Sequence, residues 1–116
     1  MFVKIQLSSN LPIGTVLEFD AANNVWNTAL NNSNLFGILE TTEQDEDSLW
    51  WGQVRFGNTT RALADRDIPD EGGFLSVVNG RVFVDNTTDN KCGVIAPLAR
   101  GQATRTAGNL VMVYLR

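Results

Sequence analysis

The sequence predicts an all-β fold: a compact antiparallel β-barrel or β-sandwich of two pseudo-repeated halves, with little helix. Three observations predict it. Short alternating or wholly apolar runs are separated by turns rich in Asn, Asp and Gly, which reads as many short strands. Asn79-Gly80 is a strong hairpin signal, because a type I′ turn needs positive φ at both central residues. Glycines that open apolar strands recur at similar spacing: Gly37 and Gly93 are 56 residues apart, as are Gly52 and Gly108. Gly14 and Gly72 are 58 apart, and the tight Asn79-Gly80 turn absorbs the difference.

The elements follow in chain order. Val3, Ile5 and Leu7 alternate with Lys4 and Gln6, so an amphipathic strand starts the chain after Met1. The stretch 8–12 is a turn. Gly14 opens a strand with Thr15, Leu17 and Phe19 on one face; 20–24 turns the chain, and Val25-Trp26-Asn27 returns. Asn31 to Asn34 is a loop, because Asn tolerates left-handed backbone. Leu35-Phe36-Gly37-Ile38-Leu39 is a strand buried on both faces, and 40–47 is an acidic loop. In the strand around 49–56, the neighbours Trp50 and Trp51 must face opposite ways, one of them inward. The polar span 58–71 connects the halves, and Arg61 with Asp65 has the spacing of a short helical turn. Leu75 and Val77 take the places of Leu17 and Phe19, and Arg81-Val82-Phe83-Val84 returns from the hairpin. Gly93 opens a second apolar strand that ends near Pro97. The last strand, 110–115, is apolar on both faces and is expected to be central or covered.

The 116 residues imply a single domain, with pseudo-repeat halves at 11–57 and 72–116, an N-terminal strand at 2–7 and a connector at 58–71. A chain of this length buries roughly 65% of its unfolded surface, enough for a core without disulfides or metal. The net charge of −4 argues against nucleic acid and anionic membranes as partners, since both require a basic face. No apolar stretch approaches the ~20 residues of a membrane span. The start has no charged region leading into a long apolar block, so a secretory signal is not expected.

The chain has one cysteine, Cys92, and no histidine. An intrachain disulfide, a Ser-His-Asp triad, a Cys-His dyad and a His-bearing zinc site are therefore excluded. Cys92 reads as a small buried apolar residue. Neither a phosphate-binding loop nor a dinucleotide fingerprint is present. Glu18 and Asp20 share a strand face, which is also how a solvent-facing edge looks. The segment 40–47 holds five of the thirteen acidic residues. It reads as a solvated loop, with a Ca²⁺ site as the sharper alternative, but its spacing does not match an EF-hand. No catalytic residue, cofactor or metal is expected.

Gly14, Leu17, Phe19 and Val25, then Phe36-Gly37-Ile38 and the closing Gly108-Asn109-Leu110-Val111, form a pattern that resembles the small head-decoration, or cement, proteins of tailed bacteriophages. The resemblance implies a non-enzymatic virion protein on the capsid exterior, made in the host cytoplasm, that stabilises the assembled shell. Its implied partner is the major capsid protein, bound as a homo-oligomer, with a trimer favoured. Some family members carry a flexible N-terminal arm; here an alternating strand begins at Phe2, which would pair with a neighbour by strand addition. The expected contact residues are Phe2, Val3, Ile5 and Leu7, one of Trp50 and Trp51, and the group Arg55, Arg61 and Arg66. The alternatives are a tail or fibre adaptor, and a small carbohydrate-binding β-module that uses the tryptophans.

Overall fold

The structure, a computed structural model, describes residues 2–32, 37–55, 58–87 and 93–115, with backbone alone for Phe2 and Asn58. Ten strands form among the described residues: β1 (Phe2–Leu7), β2 (Val16–Asp20), β3 (Val25–Thr28), β4 (Gly37–Gln44), β5 (Trp50–Arg55), β6 (Asn58–Leu63), β7 (Gly73–Val78), β8 (Arg81–Val84), β9 (Gly93–Ile95) and β10 (Leu110–Leu115). No helix occurs among the described residues, and the fold is all-β.

The strands make two sheets of five. The first, in the order β1-β3-β2-β4-β5, closes into a barrel. β1 pairs antiparallel with β5 along its whole length and meets β3 in parallel at Leu7↔Trp26. The second runs β6-β10-β9-β7-β8. Its outer strands are drawn together by a parallel bridge, Ala64↔Val82. The Asp65 N–H donates to the Val82 carbonyl at 2.8 Å, just as Ser8 N–H donates to the Trp26 carbonyl at 2.9 Å in the first barrel.

Register shows how closely the halves repeat. β1 to β5 correspond in order to β6 to β10, each strand with the same neighbours once the isolated Ala64↔Val82 bridge just past β6 is counted as the β6–β8 contact, so the second sheet forms a barrel closed only at that bridge. Following the pairings places Ala62 and Ala64 where Ile5 and Leu7 stand, Leu75 for Leu17, Ile95 for Leu39, and Val113 for Val54. Ile5, Leu7, Leu17, Leu39 and Val54 line the core of the first barrel, and their five counterparts lie in the core of the second. The tip of the β7–β8 hairpin is the two residues Asn79 and Gly80, with φ of 47° and 75°, as the type I′ turn requires. The β2–β3 tip, at 21–24, is two residues longer, which accounts for the change in spacing along the repeat.

The barrels join through this hairpin. Val16, Ala29 and Ile38 project from the first barrel into the core of the second. The Val16 N–H donates to the Gly80 carbonyl at 2.9 Å, and Gly80 N–H donates to the Ala29 carbonyl at 2.6 Å. A Cβ on Gly80 would come within 2.6 Å of Thr28 Cγ2 and 2.8 Å of Thr15 Cγ2, so only glycine lets the tip sit this close.

Four expectations need correction. The span 58–71 is not a bare connector, and no helical turn forms at Arg61–Asp65; β6 begins the second barrel there. Its period of two was hidden because the inward residues, Thr60, Ala62 and Ala64, are small or polar. The N-terminal strand likewise belongs to the repeat, with β6 as its counterpart. The acidic segment is not all loop, since β4 runs through Glu40 and Glu43 to Gln44. Gly108 does not match Gly52: it lies in the turn before β10, and register gives that place to Val111. Leu35, Phe36, Phe56 and Cys92 lie outside the described residues.

Candidate interaction surface

The residues expected to contact a partner separate into three groups. Ile5 and Leu7 are buried and belong to the core of the first barrel, so they are not contact residues. Val3 is exposed on β1. β5 takes one edge of β1 along its whole length, and the other edge meets β3 at Leu7↔Trp26. The side chain of Phe2 lies outside the description.

The two tryptophans do face opposite ways. Trp50 packs against the inner cluster of the first barrel. Trp51 lies outside, where its Nε1–H donates to Asp45 Oδ2 at 2.8 Å. Asp45 Oδ1 also accepts the N–H groups of Asp47 and Leu49, both at 2.9 Å. The Trp51 indole, then the Leu49 amide, hold the Asp45 carboxyl below the usual carboxylate range. Asp20 is lowered by the Asn23 side chain in the β2–β3 turn, and Asp85 by Thr87 in the turn after β8. These carboxylates stabilise turns. Among the described residues, no three His, Cys, Asp or Glu side chains group to hold a metal ion.

Arg66 stands apart from the other arginines. It pairs with Asp65 at 2.9 Å, and its guanidinium lies 4.0 Å from the centre of the Phe83 ring. Arg55 and Arg61, by contrast, come together at a cleft where the barrels join. The cleft has a volume of about 400 Å³, and Ile13, Leu110 and Met112 supply its apolar lining. All three are exposed. Glu40 enters the cleft because β4 bulges there: Leu39 opposes Val54 and Thr41 opposes Gln53, leaving Glu40 as the extra residue. Its carboxylate forms an ion pair with Arg55, Oε1 lying 3.0 Å from Nε, and accepts from the Thr60 hydroxyl at 2.7 Å, tying the two barrels across the cleft floor.

Arg55 and Arg61 were legible as candidates; Ile13, Glu40, Leu110 and Met112 were not singled out. The available signal was the apolar character of both faces of β10. β10 is central in its sheet, yet Leu110, Met112 and Tyr114 remain exposed on its outer face. The cleft sets exposed Ile13, Leu110 and Met112 beside arginines, and methionine and arginine are residue types enriched where proteins meet.

No family model matches the chain, and no curated protein or solved structure matches it.

Proposed function

We propose that the protein is a non-enzymatic virion structural protein of the capsid-decoration kind, which binds an assembled phage capsid from outside and stabilises it. The observation that carries the reading is the joint cleft, with Ile13 in a turn and Leu110 and Met112 on β10, all exposed, beside Arg61 on the paired strand β6. Exposed apolar side chains beside an arginine are the usual make-up of a protein-binding hot spot. The major capsid protein is the proposed partner, and a symmetric homo-oligomer, with a trimer favoured, would repeat a modest contact into a strong one.

The test is co-sedimentation with empty expanded capsids. The wild-type protein should pellet with the shells and raise their heat resistance. A Met112→Glu, Arg61→Glu double variant should lose at least about tenfold in affinity, since it places charge on the apolar floor and reverses the cation. Failure of the wild type to pellet or to protect the shells would contradict the reading. Binding to isolated tails and not to heads would assign the protein to a tail or fibre adaptor instead.

A further inference from the structure

The two barrels touch through unlike faces. The first offers Val16, Ala29 and Ile38; the second offers the β7–β8 hairpin, with Val77 beneath its tip. Because the barrels repeat one plan, each face has a counterpart that the internal contact leaves unused. Register places Phe74, Asp85 and Val94 in the second barrel where Val16, Ala29 and Ile38 stand in the first. It places Phe19 where Val77 stands, with the turn 21–24 as the matching hairpin tip.

Burial reverses between the counterparts. Ile38 is 0% exposed and Val94 is 38% exposed; Val77 is 4% exposed and Phe19 is 40% exposed. Tyr114, paired with Val94 across β9 and β10, is exposed beside it. The backbone frame of the unused face is nevertheless kept: Asp85 N–H donates to the Phe74 carbonyl at 3.0 Å, as Ala29 N–H donates to the Val16 carbonyl at 2.9 Å. The halves also differ in charge. Residues 1–57 carry seven acidic and two basic side chains, and residues 58–116 carry six acidic and seven basic. Joining the second half of one copy to the first half of another therefore brings a strongly acidic unit against a weakly basic one.

We propose that copies of the protein associate head to tail: the Phe74, Val94 and Tyr114 face of one copy receives the β2–β3 hairpin and Phe19 of the next. The occupant is a second copy because the chain already closes a face of this build with a hairpin of this build. The contact is heterologous, so it generates a ring where its rotation closes and a filament where it does not. It does not rest on the capsid reading. One group must exchange partners. The Val16 N–H goes to Gly80 across the joint, whereas its counterpart, Phe74 N–H, donates to Asn86 Oδ1 at 2.9 Å within the same chain. Association swaps Asn86 for a carbonyl of the incoming turn, so Asn86→Ala tightens it by removing the intrachain acceptor that competes for that donor.

The experiment is sedimentation velocity of the full chain from micromolar to millimolar concentration, with Val94→Glu and Phe19→Glu as variants. Wild-type protein should grow in mass with concentration, and each variant alone should stay monomeric. An equimolar mixture should form dimers and nothing larger, because Val94→Glu keeps the hairpin and Phe19→Glu keeps the face. Circular dichroism and melting confirm that the variants fold; Tyr114→Glu and Ala22→Arg replace any that do not. A monomeric wild type, a variant that associates alone, or a mixture that stays monomeric would overturn the proposal.

Discussion

The two barrels run the same path over differently filled cores. In the first, Ile5 and Leu7 come from β1, Trp26 packs from β3, and Gly52 offers no side chain. In the second, the same places hold Ala62, Ala64, Val82 and Val111. Val111, in the place of Gly52, returns part of the bulk that Ala62 and Ala64 give up. A Cβ on Gly52 would collide with Leu39 Cδ1 and approach Leu7 Cδ1 at 3.1 Å, whereas Val111 has the room left by two alanines. What the halves share is strand pairing rather than residue identity or the volume each place contributes.

This comparison can be broken most forcefully at Leu7. Leu7→Ala removes a large buried side chain from the fuller barrel and should cost about 3 kcal/mol in urea unfolding. Ala64→Gly, at the matching place, should cost only about 1 kcal/mol. Equal losses would show that the two cores are not filled differently. The hairpin tips come next. Gly80→Ala meets Thr28 and Thr15 at positive φ and should cost about 2 kcal/mol. Asn24→Ala, in the exposed tip with φ of 53°, should cost about 1 kcal/mol by the same assay.

The smallest effect separates the barrels by pH. Asp45 belongs to the first barrel, and its carboxyl is depressed below the 3.8 of an unperturbed group, chiefly by the Trp51 indole. A depressed carboxylate stabilises the fold above its unfolded pKa, and that stability is lost as pH falls through the folded value. The gap in urea midpoint between wild type and Asp45→Asn should therefore hold steady from neutral pH to about pH 5 and close below the depressed value. A gap that widens on acidification would reverse the sign and contradict the assignment.

Much of the fold was legible, for identifiable reasons. Val16 to Leu39 and Gly73 to Ile95 could be matched because glycines mark their starts and aliphatic residues fill both cores. The Asn79-Gly80 turn reported its own geometry. β6 escaped because Thr60, Ala62 and Ala64 carry too little hydrophobicity to reveal a period of two. With β6 unseen, β1 looked like a spare strand, and Ile5 and Leu7 like contact residues. Of the surface, Arg55 and Arg61 were visible as charges. The bulge that turns Glu40 toward them, and the exposure of Leu110 and Met112, depend on how β4 and β10 sit in their sheets. No local pattern encodes that placement.

The claim beneath the whole account is that the two barrels are one strand plan with differently filled cores. A double-mutant cycle on Gly52→Val and Leu7→Ala tests it most directly, because the pair moves the first barrel toward the filling of the second. Gly52→Val alone should cost about 3 kcal/mol by overpacking against Leu39, the Thr41 carbonyl and Leu7. With Leu7→Ala present, Leu39 can shift into the vacated space, and the double variant should be more stable than the sum of the two losses by at least about 1 kcal/mol. Losses that simply add would contradict the account.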